Sequence, residues 1–486
     1  MGVAQKILIF YNIVCKNLPV MDRKTFIKSI AVIGASPAFA AGVPSKDADG
    51  KNKTKSESFG GGFVPSARIF KTGRAKLTLR PPEKYAGKLS SLSVSILYGD
   101  AAWDGKSDSF PWARDFPAKY REENGAFAID ADFKKECRYT FVVKDKKRGG
   151  NESFVASVPV YALGEDIYAL RPFKGDSHIH STNSDGKNSP EEVALRCYEV
   201  GLDYQAISDH SVYSTSEDMK RKFSRFPTSM SFFNAEECHY SHAHIQNFGG
   251  SQSLTEYVKK NRGEFDALVA EIEKTLPADA SAVVRRNVAV AEAEFDFIRR
   301  LGGIAVFNHP FWEAAPKKGK YTHMESRMLD LIAGRKKFDA YELVNSTCAD
   351  IALARALCHY PRHCAGKSVI GCTDAHSVDL QGTGYTIVFA KSCDFPDIKD
   401  AVLGGKSLAV DAYSSHGSKL QRLAFGDERL VRFSYFLFDE YFPLHDELVA
   451  REGKLIKGAL ESGSKDYSEI AEAARAVEGL YESMLG

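Results

Sequence analysis

The sequence predicts an α/β fold preceded by a small all-β domain, and three observations carry that prediction. The chain has 486 residues, more than one hydrophobic core usually organises, so two or three folded units are expected. Between residues 63 and 165, short alternating segments such as Ala75–Leu79, Leu92–Ile96 and Tyr139–Val143 are separated by turn-forming clusters at Gly99-Asp100, Asp104-Gly105 and Arg148–Asn151. That is the texture of a β-sandwich. From residue 166 the pattern changes to apolar strand, polar turn and amphipathic helix, repeated, which is the signature of an α/β domain.

Composition narrows the function classes. Lys and Arg number 65 against 63 Asp and Glu, which removes the basic footprint of a general nucleic-acid binder, so no nucleic-acid partner is expected. With 44% apolar and 26% charged residues the chain is globular in character. Nine cysteines are too sparse in a chain of this length to form a disulfide framework.

Residues 1–20 hold an apolar run between Lys6 and Lys16 that is far too short to span a bilayer. They read as an extension upstream of a second start at Met21. Residues 21–41 have a basic beginning, a short apolar core and small residues at Ala38-Phe39-Ala40, the layout of a signal peptide. The stretch Arg23-Lys24-Thr25-Phe26-Ile27-Lys28 is similar to a twin-arginine signal, with Lys24 in place of the second Arg. An exported protein is expected, periplasmic, cell-surface or secreted, with no membrane span after cleavage. Residues 42–62 are rich in Gly, Ser and Lys and read as a linker.

The β domain, 63–165, shows no catalytic constellation. Trp103, Trp112 and Tyr120 are expected in its core, and contact with a glycan or a protein is the function left open to it. In the α/β region, 166–412, Ser189 should cap a helix that begins at Pro190, carries Glu191 and Glu192 in its first turn, buries Val193, Ala194, Cys197 and Val200, and ends at Gly201. A helical insertion is expected over 214–300, with helices 254–275 and 281–300. Residues 413–486 read as a helical C-terminal region.

Chemistry collects at the ends of five predicted strands. They carry Asp176, His178 and His180, followed by Asp185; Asp209 and His210; Glu236 and Glu237, leading to His239, His242 and His244; Asn308 and His309; and Asp374 and His376. In α/β folds the carboxyl ends of strands converge, so groups distant in sequence can meet there. Residues 178 and 180 point to one face of a strand and can hold one cation. Imidazole and carboxylate without thiolate suit Zn, Mn or Fe(II). So many donors imply two or three divalent ions, with Glu237 or Glu236 as the shared anion. Cys238 and Cys372 fall on the alternate positions and are expected to pack.

His178-Ile-His180 with Ser-Asp185-Gly, Ser-Asp209-His210, the Glu before His244, Asn308-His309-Pro310 and Thr-Asp374-Ala-His376 resemble the successive motifs of the PHP (polymerase and histidinol phosphatase) superfamily of metallohydrolases. The spacing of Glu237 to His244 and the phrase His244–Gly249 are most similar to its CehA/McbA-like branch. The resemblance covers roughly 170–412. It implies a distorted seven-stranded (β/α) barrel and three metals. The first would be held by His178, His180, Glu237 and Asp374. The second would fall to Asp185, His210 and His376, and the third to Glu237, His244 and His309. Glu236 and His242 are possible substitutes, and His239 is read as a surface histidine. Asp176 and Asp209 are read as orienting neighbouring His rings, with Asn308 in a supporting place.

No side-chain nucleophile is then needed, because hydroxide bridging two cations attacks directly. The expected enzyme is a phosphoesterase acting on a small phosphomonoester or phosphodiester, with Lys187, Lys317 and Lys318 as candidate phosphate contacts. One alternative keeps the metals and hydrolyses aryl esters or carbamates against Phe311 and Trp312. Another is a non-catalytic exported binding protein with structural metals, which the completeness of the ligand set argues against.

Overall fold

The computed structural model describes residues 62–98, 116–146, 152–312, 324–348, 350–412 and 422–486. The export segment, the linker before Gly62, Trp103, Trp112, Lys317 and Lys318 lie outside them.

Among the described residues, nine strands up to Leu163 form two sheets. One runs β1 (Val64–Pro65), β3 (Gly73–Arg80), β7 (Ala126–Phe133), β6 (Lys119–Glu123). The other runs β2 (Ile69–Lys71), β9 (Glu152–Leu163), β8 (Cys137–Lys146), β4 (Leu92–Tyr98), β5 (Phe116–Pro117). Alternation decides which face is dry: in β7, Phe127, Ile129, Ala131 and Phe133 are buried while Asp130 and Asp132 are exposed. They pack with Phe70, Leu79, Phe141 and Val158 into one core. Tyr120 meets Phe127 edge-on at 5.1 Å. Asn124 and Gly125 both have positive φ and join β6 to β7, as a two-residue hairpin turn requires.

The α/β region is mixed rather than parallel throughout. A six-stranded sheet runs β12 (Ser231–Phe232), β11 (Tyr204–Ile207), β10 (Arg171–Ile179), β18 (Gly384–Ala390), β19 (Ser407–Asp411), β20 (Leu423–Phe425). A five-stranded sheet runs β13 (Ala235–Cys238), β14 (Ile245–Phe248), β15 (Ile304–Phe307), β16 (Ala340–Asn345), β17 (Ser368–Cys372). Pairs β10–β11, β11–β12, β15–β16 and β16–β17 are parallel and the rest antiparallel. Among the described residues these strands form two ladders, and the expected seven-stranded barrel is not closed. They meet at isolated bridges, Ile179–Ala375 and His210–Glu237. The reason lies in the run 230–237: it reads as one strand, but it splits at Phe233-Asn234 into β12 in one sheet and β13 in the other.

The helix Pro190–Glu199 forms with Ser189 and Glu192 closing a reciprocal capping box and Val193, Ala194 and Cys197 buried, while Val200, expected on that buried face, is the half-buried C-cap. The expected helix 254–275 breaks at Asn261, whose φ of −113° is not helical, into Leu254–Lys260 and Arg262–Lys274. The segment 214–300 is not a purely helical insertion, because β12, β13 and β14 belong to it and supply both sheets. The C-terminal region likewise opens, in its described part, on strand β20. Its helices Glu428–Glu440, Phe442–Ser462 and Ser468–Glu482 bury Phe433, Phe436, Val449, Ile456, Val477 and Tyr481 in the same core as Ile387 and Phe389 of β18.

That packing carries a buried polar clamp. His445 donates through Nε2 to the Asp203 carboxylate at 2.8 Å, and its Nδ1 is 3.3 Å from Asp446, which also holds Lys174 of β10 at 2.5 Å. Burial alone would lower the His445 pKa, but Asp203 reverses this and raises it to about 9. A raised histidine contributes stability that is complete below its unfolded pKa of about 6.5 and is lost as pH rises through its folded value. The sign is therefore loss toward alkaline pH, worth at most on the order of 3 kcal/mol. Urea unfolding of wild type should weaken between these two pH values, and His445→Gln should flatten that slope. An unchanged slope would remove the clamp from the pH response.

Candidate metal centre

The strand ends deliver donors to one place. His178 and His180 leave β10 on the same side, with ring centroids 5.2 Å apart. Asp374, two residues after β17, turns into the cluster through a left-handed backbone, φ 55°, and Ser211 after His210 has the same φ. Short polar side chains tolerate this conformation best, and it commonly marks sites where a side chain must be aimed. Gly186 packs so closely on His180 that a Cβ there would lie 2.5 Å from the His180 carbonyl oxygen. A larger residue would push out the loop that presents Asp185.

Glu237 is the hub, and it is fully buried. Its Oε1 lies 3.3 Å from His178 Nε2, 3.2 Å from His244 Nδ1 and 3.1 Å from His309 Nε2. Its Oε2 lies 2.9 Å from His210 Nδ1, 3.5 Å from His180 Nε2 and 3.7 Å from His239 Nε2. Asp374 Oδ1 is 3.0 Å from His180 Nε2 and 3.4 Å from His178 Nε2. Asp185 Oδ1, at the exposed rim, is 3.2 Å from His376 Nε2 and 3.4 Å from His210 Nε2. Donors sharing one ion at roughly 2.1 Å are themselves separated by roughly 3 to 3.5 Å. The spacing fits that edge.

Hydrogen bonding supports the fit. His178 Nε2, both ring nitrogens of His180, His210 Nδ1, His244 Nδ1 and Glu237 Oε2 are buried with no hydrogen-bond partner. Such atoms are costly unless something satisfies them, and divalent cations would. The ring tautomers suit this. His376 Nδ1 donates to the Asp374 carbonyl at 2.9 Å and His178 Nδ1 faces a carboxylate oxygen of Glu342 at 2.9 Å, so each Nε2 keeps its lone pair for the cluster. Burial would lower the His178 pKa, but Glu237, Asp374 and Glu342 hold it well above its usual value. Burial would also raise Glu237, and the charge of His178 with its neighbours holds it well below the carboxylate range. Protons thus compete for places that cations would take.

The structure decides between the alternatives. Glu236 points away from the histidines and accepts hydrogen bonds from Asn247, Ser253 and the Leu254 N–H at the start of the helix Leu254–Lys260. His242 is exposed and its N–H donates to Asn287. Neither substitute joins the cluster. His239 is exposed, as expected of a surface histidine, and it also stacks on His244 at 4.1 Å and lies beside Glu237, because the chain turns back between β13 and β14. Asp176 and Asp209 do not touch His rings. Asp176 accepts from the His178 N–H and from Thr373, tying β10 to β17, and burial pushes its pKa up to about 7. Asp209 accepts from Ser181 at 2.7 Å and Ser184 at 2.6 Å, fixing the loop before Asp185. Asn308 donates to Glu237 Oε1 at 2.9 Å.

The orienting carboxylate is Glu342 of β16, which the sequence reading passed over. It accepts from the His309 N–H at 2.5 Å as well as facing His178. Its signal was an acid set inside the otherwise apolar run Ala340–Val344. Asn345 donates to Asp374 at 3.2 Å. Cys238 and Cys372 are buried, and burial raises both thiols well above their usual pKa. The Lys187 side chain is exposed, and it is its backbone N–H that donates to the His376 carbonyl, at 2.9 Å. Trp312 stands 5.5 Å from the His244 ring, and Phe311, Leu353 and Ala356 continue an apolar wall beside His309.

Fold and site together define a mixed α/β protein whose strand ends gather histidines and carboxylates fit for divalent cations. No family model matches the sequence. Over 274 residues, 53% of this chain and 43% of the other, it is 25% identical to the DNA polymerase/3'-5' exonuclease PolX of Bacillus subtilis (strain 168). The chain thus spans less than half of that relative. A solved two-domain protein of Bacteroides vulgatus, described as containing a predicted PHP-like metal-dependent phosphoesterase, is 16% identical and covers 55% of this chain and 70% of its own, with a TM-score of 0.37. The lesion-specific endonuclease PfuEndoQ of Pyrococcus furiosus is 15% identical, covering 64% and 91% of the two chains with a TM-score of 0.33.

Proposed function

We propose that the chain is a PHP-type metal-dependent hydrolase that cleaves phosphoesters. The observation that carries this reading is the position of Glu237, whose two oxygens face different sets of histidines across a group of unsatisfied donors. One carboxylate shared in this way suits adjacent cations. Divalent ions bound there would lower the pKa of water toward ~7 and neutralise charge on a phosphoryl group.

The chain's own groups do the positioning. His178, His180, Asp374, Glu237 and His309 form the buried floor, and Asp185, His210 and His376 the accessible side. His239 and His244 flank Glu237. Asn308 and Glu342 fix the hub and its first histidine, so little reorganisation is needed when substrate arrives. The exonuclease activity in the name of the Bacillus relative is hydrolysis of a phosphodiester, which supports that bond type for the matched region. The strands β10, β11 and β13–β17, joined through the two isolated bridges, are read as a barrel opened at those joints. The CehA/McbA-like branch rests on the segment 237–249, and export on residues 21–41.

The apolar wall of Phe311 and Trp312 favours a second reading at the same site, hydrolysis of aryl esters or carbamates. Purified protein should contain divalent metal and turn over phosphodiesters or phosphomonoesters, with His178→Ala losing both metal and rate. Metal with turnover of aryl esters alone would favour the second reading. Full metal occupancy with no turnover of any of these would favour a binding protein.

A further inference from the structure

Away from the strand ends, a second group of donors lies between two helices. His359 and His363 sit one turn apart on the helix Asp350–His363, so both rings leave the same face, stacked with centroids 4.4 Å apart and planes 19° from parallel. The neighbouring helix Ser326–Arg335 presents Asp330, whose Oδ1 is 3.4 Å from His359 Nε2. One donor atom from each of the three lies within 4.8 Å of the others.

The unusual member is His359. Its side chain is only 9% exposed, and its Nε2 is buried with no hydrogen-bond partner although a carboxylate oxygen is close by. An ordinary His–Asp ion pair would align a hydrogen bond here. The 3.4 Å separation instead matches the edge of a tetrahedron around one zinc-sized ion, roughly 3.3 Å for donors at 2.0 to 2.1 Å. The other ring nitrogen faces the buried hydroxyl of Tyr341 at 3.5 Å, the place of the outer partner that fixes a ligating ring. Asp330 is about half exposed, so a fourth position opens to solvent.

We infer that Asp330, His359 and His363 form a separate mononuclear site for a zinc-class divalent cation, with water in its open position. The ion would fasten two helices that are otherwise joined by side-chain packing. His359 also packs edge-on against Phe311 at 5.2 Å, and Tyr341 precedes Glu342, so the site braces the wall of the centre without sharing a ligand with it.

Zinc binding to the full chain tests this. Wild type, His363→Ala, Asp330→Asn and His178→Ala are each equilibrated with the same buffered free Zn2+, and zinc per chain is measured alongside the thermal midpoint without zinc. Wild type should hold one zinc more than His363→Ala and one more than Asp330→Asn, and both variants should match its zinc-free midpoint. His178→Ala should lose zinc from the strand-end centre and still lose a further ion when His363→Ala is added. Asp330 is exposed enough that its Asn variant tests the site even if His363→Ala misfolds. Equal zinc content in wild type and Asp330→Asn overturns the second site and leaves the strand-end centre untouched. Loss confined to His178→Ala does the same.

Discussion

Glu237→Gln should lower turnover of any substrate of this centre by on the order of 10³-fold or more, and its metal content should fall with it. The amide has nearly the same shape, so packing around β13 survives. What changes is charge and direction: an NH2 group would now present hydrogens to histidine nitrogens that the carboxylate faces from 2.9 to 3.7 Å. Neither hydrogens nor a neutral oxygen can bind two cations as a carboxylate does. The adjacent residue is the natural control. Glu236 lies on the opposite face of the same strand and holds the start of the helix Leu254–Lys260. Glu236→Gln should therefore keep metal and rate while costing stability, about 1 kcal/mol by analogy with the loss of a helix-capping group. Elemental analysis and initial rates on the two variants side by side decide the matter. Equal losses in both would sink the assignment of Glu237 as hub.

The contrast between these neighbours shows what a sequence reveals and what it withholds. The motifs His178-Ile-His180 and Asp374-Ala-His376 were legible because a strand's period of two fixes the face of each residue within one segment. The cap at Ser189 was legible for the same reason, since the geometry of an N-cap is local. Between Glu236 and Glu237 the period says only that one faces in. The choice depends on which face of β13 meets β11, a register set by the split of residues 230–237 between two sheets. The contact of the exposed His239 with His244 and Glu237 was not legible, because it depends on the turn between β13 and β14, where no period operates. Glu342 was passed over because its strand bears no histidine, and its contacts to His178 and His309 join residues far apart in the chain. Local order was readable, and pairing across sheets was not.

Removing the metal should be the second large effect, and it follows from the unsatisfied donors. A cation that binds only the folded chain stabilises it by about 4 kcal/mol when free ion exceeds its Kd 1,000-fold, so chelation should lower the thermal midpoint clearly and re-addition should restore it. The metal-free state is not simply an empty cage. Against the effect of burial, Glu237, Asp374 and Glu342 hold His178 protonated well above the usual range, and His309 is raised in the same sense by Glu237 after burial opposes it. A raised histidine stabilises fully below its unfolded pKa and loses that contribution as pH rises. Protons can therefore stand in for cations in acid and not in alkali, while metal affinity itself grows as protons leave the ligands. The gap in midpoint between metal-loaded and chelated protein should be small near pH 5.5 and widen through pH 8.5. His178→Ala, which lacks the central competitor, should show a smaller gap at every pH. A gap that is constant across this range, or largest in acid, would mean that the cluster is a histidine–carboxylate network held together by protons alone.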